Sequence, residues 1–162
     1  NKTGIELGRR LKSEAIAATH RHHENIVDIY EAGQDLDLFY IVMEFVNGQS
    51  LESILKKHST LTLERISTIF LSICDGLSYA HQQGIIHRDI KPSNIIVSDE
   101  NSVKIADFGI AKIENSDATQ LGLSLGTPSY MAPEQSAGKA IDCRVDIFAA
   151  GIIAFELLSL CG

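Results

Sequence analysis

The chain is 162 residues long, enough for one domain with a sizeable core, and its hydrophobic share of 44% and charged share of 22% are ordinary for a globular protein. A formal net charge of −7 without any basic stripe argues against a nucleic-acid footprint. Three cysteines (Cys74, Cys143, Cys161) are odd in number and lack metal-type spacing, so they read as buried thiols of a reducing compartment rather than a disulfide framework.

The chain opens on Asn1 and carries no basic n-region followed by an apolar h-region, so no signal peptide is expected. Residues 9–22 form the first helix candidate: they are Ala-rich, with Leu11, Ala15, Ile16 and Ala18 on a modest apolar face and Glu14 one turn along it. His20, His22 and His23 crowd its end, but such clusters rarely bind metal without carboxylate or Cys partners, so they are read as structural. Two apolar, β-branched runs follow, Ile26 to Ala32 and Leu38 to Glu44, separated by a turn-like stretch and expected to pair antiparallel. Ser50 is placed to cap a short helix from Leu51 to Lys57, with Glu52 early and Lys56 and Lys57 late, as the helix dipole favours. Thr62 starts a longer helix in which Ile66, Ile69, Phe70, Ile73, Leu77 and Ala80 follow helical spacing, and Gly84 supplies its stop.

The stretch from His87 to Gly109 concentrates chemistry. Two carboxylates (Asp89, Asp107), one cation (Lys91) and one amide (Asn94) sit on loops bracketing two short strands, Ile95 to Val97 and Val103 to Ala106, joined by a turn. A hairpin of that kind holds Asn94 and Asp107 at neighbouring ends, and two converging side-chain oxygens suit a hard divalent cation such as Mg²⁺. From Ala111 to Tyr130 apolar periodicity is lost and Ser, Thr, Asn and Gly accumulate, as in an exposed loop. The last helix, about Arg144 to Leu160, is apolar nearly all round, which calls for burial on all sides, so this segment by itself is expected to expose an apolar face of the helix and to tend to aggregate. Its apolar run, Ile147 to Cys161, is short of the roughly 20 residues a membrane span needs and is broken by Glu156.

The chain resembles the eukaryotic-like protein kinases, through His87-Arg88-Asp89-Ile90-Lys91-Pro92-Ser93-Asn94 (H-R-D-L-x-x-x-N, with Ile for Leu), Asp107-Phe108-Gly109 (D-F-G) and Ala132-Pro133-Glu134 (A-P-E), in that order. The resemblance implies an α+β, bilobal protein-kinase fold, truncated: an N-lobe remnant over residues 1–43 and a partial, mainly helical C-lobe over 44–162. It further implies ATP and Mg²⁺ as cofactors and a protein Ser/Thr hydroxyl as acceptor. Asp89 then takes the proton of that hydroxyl, Lys91 neutralises the γ-phosphate, and Asn94 and Asp107 hold Mg²⁺. The backbone of Glu44 and Val46 meets the adenine edge, Met43 guards the pocket behind it, and Ile96 is the apolar floor. Glu14 matches the glutamate that pairs with the ATP-binding lysine, and Asp146 one that hydrogen-bonds to the catalytic-loop backbone. Arg88 and Lys112 are expected to bind a phosphothreonine, Thr119 matches a site of autophosphorylation whose usual second threonine is Leu121 here, and Thr127 matches a structural threonine.

Two parts of the family pattern are not found: no G-x-G-x-x-G-x-V loop and no V-A-x-K strand precedes Glu14. The sequence therefore reads as an internal segment of the catalytic domain of a bacterial-type Ser/Thr kinase, itself with little or no activity. The resemblance implies a cytoplasmic protein or the cytosolic part of a membrane-anchored one, with a dimer of the whole protein left open. A pseudokinase scaffold is the main alternative, although every catalytic residue of the present motifs is intact. Small-molecule phosphotransferases share the fold but lack the Gly126 to Glu134 segment, whose presence argues for a protein acceptor.

Overall fold

The hairpin expected near the start of the chain forms from Ile29–Asp35 (β1) and Leu38–Met43 (β2), paired antiparallel with Gly33 opposite Tyr40 and Asp35 opposite Leu38. The structure, a computed structural model, describes residues 22–36, 38–57, 60–98, 102–108 and 128–162. The helix expected over 9–22 with Glu14, and the loop positions Lys112, Thr119 and Thr127, lie outside the described residues. Strand β1 starts later than the apolar run from Ile26 suggests because the preceding backbone is committed elsewhere. Ile105 N–H donates to Asn25 O and Val27 N–H donates to Ile105 O, both at 2.9 Å, and Ile26 bridges Ile105 in parallel.

A second sheet has the order β3-β4-β5, formed by Gly48–Ser50 (β3), Ile95–Ser98 (β4) and Val103–Ile105 (β5), all antiparallel. Strand β3 was not expected, since three residues without apolar alternation carry no strand signal. Gly48 permits it: a Cβ there would come within 2.5 Å of Val97 O. The β4–β5 register sets Ile95 opposite Ile105 and Val97 opposite Val103, and these four side chains are buried on one face. The period of two leaves Ile96 and Lys104 on the other face.

Ser50 and Thr62 cap the helices Leu51–Lys56 (α1) and Leu63–Gln82 (α2), each accepting a backbone N–H at 3.2 Å, from Ser53 and Arg65 respectively. Gly84, at φ +72°, ends α2 as expected, and Ile85 N–H folds back to Ala80 O at 2.9 Å. Ile66, Ile69, Ile73, Leu77 and Ala80 bury the inner face of α2 against β5 and the last long helix. A short helix, Pro133–Ser136 (α3), and the long last helix, Arg144–Leu158 (α4), follow.

The exposed apolar face expected of the last helix is present, and one expectation, the burial of the cysteines, is corrected. Helix α4 buries one stripe only, Val145, Asp146, Ala149, Ala150, Ile153 and Leu157, whereas Phe155 is 75% exposed and Ile147, Phe148 and Leu158 also face outward. At 100° per residue those side chains point away from α2. The cysteines are not buried thiols: Cys74 and Cys143 are half-buried and Cys161, past the end of α4, is exposed. Among the described residues no helix is long and apolar enough to cross a membrane.

Candidate active site

The catalytic-loop candidates converge. Lys91 Nζ lies 2.6 Å from Asp89 Oδ2, and Asn94 Nδ2 donates to Asp89 O at 2.9 Å and reaches its Oδ2 at 3.4 Å. Asp89 and Lys91 are both partly open to solvent, whereas Asn94 is buried, at the end of the 3₁₀ turn Pro92–Asn94 that leads into β4. Ala106 N–H donates to Asn94 O at 2.8 Å, which continues the β4–β5 ladder by one bond. The hairpin thereby delivers Asn94 and Asp107 to its one end, as their spacing suggests.

Backbone in an uncommon conformation flanks both acids. Arg88 (φ +70°) and Asp107 (φ +64°) lie in the left-handed region that side-chain-bearing residues rarely occupy. What holds Arg88 there is Asp146 of α4, 1% exposed, whose Oδ1 accepts Arg88 N–H at 2.8 Å and whose Oδ2 accepts His87 N–H at 2.9 Å. The Asp146 contact implied by the resemblance is thus present, and it includes a partner that the sequence did not suggest: His81 Nε2 donates to Oδ2 at 2.8 Å.

His87 is fully buried, and its partners fix its tautomer. Nδ1 accepts Asp89 N–H at 3.3 Å, so Nε2 carries the hydrogen and donates to Ala106 O at 2.9 Å. Its ring meets Phe108 edge-on, centroids 4.6 Å apart. Burial pushes the imidazole below the ordinary histidine value of 6.5, against smaller upward pulls from Ala106 O and nearby carboxylates. The unfolded chain therefore binds a proton that the native chain refuses below that value. Stability is full above about pH 6.5 and falls as pH drops, by at most about 1.4 kcal/mol per unit from this group. Thermal melts between about pH 8 and 5 should show Tm declining on the acid side; a flat profile would contradict it.

The run matching the hinge follows β2. Glu44 N–H donates to Asp28 O at 2.8 Å, and the Glu44 carboxylate accepts Lys104 Nζ at 2.8 Å and Asp28 N–H at 3.2 Å. Burial raises the Glu44 carboxyl, but Lys104 and the Asp28 N–H outweigh it and hold it below the usual glutamate value. Val46 and Ile96 are half-buried, Ile96 on the face of β4 opposite the core. Met43, Asp107 and Phe108 line a small recess with Ile26, Val27, Ile29 and Ile41.

Arg88 Nε is buried and has no hydrogen-bond partner among the described residues. The histidines at the start of the chain do local work: His22 pairs with Asp28 at 2.7 Å, and His23 Nδ1 accepts Asn25 N–H at 3.1 Å. His20 lies outside the described residues.

A family model described as the protein kinase domain matches residues 2–161. The chain belongs to the protein kinase family. Three bacterial relatives of this kinase-family chain illustrate the match. A probable serine/threonine-protein kinase of Clostridium acetobutylicum is 42% identical over 149 residues, 91% of this chain and 23% of the relative. PrkC of Bacillus subtilis is 39% identical over 155 residues, 95% of this chain and 24% of the relative. PknB of Mycobacterium tuberculosis is 38% identical over 157 residues, 93% and 25%. The kinase domain of M. tuberculosis PknI superposes with a TM-score of 0.74 at 26% identity, covering 99% of this chain and 61% of that one. The chain thus spans about a quarter of the length of these curated relatives.

Three side chains at the site of this kinase-family chain escaped the sequence reading. Lys104 had a signal, since alternation puts it on the face of β5 shared with Ile96. His81 had only its place in the last turn of α2, and Gln135 only its third position in a helix that opens at Pro133, which suits a side chain reaching back to the cap; its second partner, Arg88 O, lies 47 positions away.

Proposed function

We propose that the chain is the central part of a serine/threonine protein kinase domain, its residues 1–43 an N-lobe remnant and 44–162 a partial C-lobe. The carrying observation is the clustering of Asp89, Lys91 and Asn94, with Asn94 and Asp107 at one end of a rigid hairpin. In this reading the acceptor hydroxyl oxygen bonds to the γ-phosphorus of ATP, the bond from that phosphorus to the β-bridging oxygen breaks, and ADP leaves. Asp89 takes the hydroxyl proton, and Lys91, already beside it, neutralises charge on the transferred group.

The donors fit Mg²⁺. Asn94 spends its Nδ2 on Asp89 O, its Oδ1, which accepts a long hydrogen bond from Ser93 O–H at 3.4 Å, is a hard oxygen donor, and Asp107 is exposed on a backbone held in the left-handed region. Asn94 and Asp107 would hold Mg²⁺ there, which would supply positive charge against the charge of the phosphate groups. The backbone of Glu44 and Val46 would hold adenine above Ile96, and Glu14 would orient a lysine outside these residues. Arg88, with its unpartnered Nε, and Lys112 would receive a phosphorylated Thr119, while Thr127 would contact the catalytic pair. The acceptor class follows the names of the relatives. The protein would act in the cytoplasm, where ATP is supplied, free or as the cytosolic part of a membrane-anchored chain.

The test is Mg²⁺-dependent ³²P transfer from ATP to a basic protein, with the full-length gene product beside these 162 residues alone. Label from the full-length protein and none from the 162 residues is expected, because the latter contain neither a glycine-rich phosphate loop nor a V-A-x-K strand. A silent full-length protein, even with Thr119 phosphorylated, would leave a binding module without catalysis.

A further inference from the structure

The peptide unit that joins Arg88 to Asp89 is gripped at both ends. Its N–H, from Asp89, donates to His87 Nδ1 at 3.3 Å, and its C=O, from Arg88, accepts Gln135 Nε2 at 2.9 Å. Gln135 is half-buried in α3, 47 positions along the chain. Its other amide atom is also committed, since Oε1 accepts Ala132 N–H at 3.1 Å. Chemistry alone fixes the amide's orientation: a backbone N–H needs an acceptor, and a carbonyl needs a donor. Ala132 caps α3 but has no side-chain oxygen, so the third helical residue reaches back to satisfy the cap position. The amide NH₂ group then points at the catalytic loop, with one of its two hydrogens on Arg88 O.

That loop requires such a grip. Arg88 sits at φ +70°, and Asp146 secures only its N–H. Rotation of the 88–89 peptide would swing the Asp89 carboxylate off the acceptor position, because that side chain leaves the very next Cα. The segment leading into α3 is anchored as well, with Tyr130 O–H donating to Glu156 of α4 at 2.8 Å.

We propose that Gln135 is a positioning residue for phosphoryl transfer: it spans from the start of α3 to the Arg88 carbonyl and so couples the segment leading into α3 to the orientation of Asp89. The inference rests on the kinase reading above.

The test uses the full-length protein with Gln135→Glu and Gln135→Leu. Glu keeps the shape and the acceptor for Ala132 N–H but turns an oxygen toward Arg88 O; Leu removes both contacts. Expected is a fall in kcat of about tenfold or more in both, with KM for ATP nearly unchanged. As pH drops from about 8 to about 6, the Glu variant should recover relative to the unsubstituted protein, because a protonated carboxyl regains an O–H donor for Arg88 O. The Leu variant should not. Turnover within about twofold of the unsubstituted protein would overturn the proposal. So would a deficit of equal size and pH profile in both variants, or one matched by a lost cooperative melt or lost nucleotide binding, since either assigns Gln135 to stability alone. A full-length protein inactive without any substitution would instead overturn the kinase reading.

Discussion

Asp89→Asn in the full-length protein is expected to lower kcat by about 10²- to 10⁴-fold, the range that a positioned general base contributes. Asn has the same shape, and the hydrogen bond from Asn94 Nδ2 to the backbone O of residue 89 does not involve the altered group. The loop should therefore keep its course. What disappears is the anionic oxygen, 2.6 Å from Lys91 Nζ, that would take the acceptor's proton. In the proposed role that oxygen would act as charge develops, so KM for ATP should change little and the loss should appear in kcat. Steady-state kinetics with ATP and a basic protein acceptor, alongside a thermal melt, separate the cases. Undiminished turnover would remove Asp89 from the base role, and a large fall in Tm would show that the loop had collapsed rather than lost its base.

The opposite pattern is expected at Asp146, which touches no reacting group. Its carboxylate is 1% exposed and accepts three donors: His81 Nε2 and His87 N–H on Oδ2, and Arg88 N–H on Oδ1. Asp146→Asn turns one of these oxygens into an NH₂ group that faces at least one donor. A buried donor without an acceptor costs about 1–3 kcal/mol, and the lost charge assistance adds to this, so destabilisation of about 2–5 kcal/mol is expected. Urea unfolding should show a lower midpoint at unchanged slope. Activity should fall as well, because Arg88 at φ +70° loses the acceptor that holds its N–H. An unchanged midpoint would mean that the Arg88 conformation is held by other contacts, Gln135 foremost.

Much of the fold was legible locally. Ser50 and Thr62 announce helix starts because their hydroxyls accept the free N–H groups of a first turn, and both do. The α2 stripe from Ile66 to Ala80 follows a 3.6-residue period that only a helix can bury on one side, and it is buried. The β4–β5 hairpin is visible as two β-branched runs around a serine-rich turn, and its register places Asn94 beside Asp107 because pairing Ile95 with Ile105 leaves no other arrangement. Strand β3 and the late start of β1 were not legible, since each depends on which backbone comes alongside: β4 for Gly48–Ser50, and β5 for the Asn25–Val27 segment.

Helix α4 shows how far composition reaches. Its residues are apolar on every side, and hydrophobicity by itself cannot say which side meets a neighbour; packing against α2 chose the Val145–Ala149–Ile153 stripe and left Phe155 outside.

The residues alone determined the chemistry available here, because motif order places acid, cation and amide at spacings that a loop and a hairpin must bring together. Only the tertiary structure decided what steadies that chemistry. His81, Gln135 and Lys104 act through hydrogen bonds and ion pairs that span tens of positions in the chain, as does Asp146, whose contact the motif resemblance alone implied, and such partners are set by how helices and strands stack rather than by any local pattern.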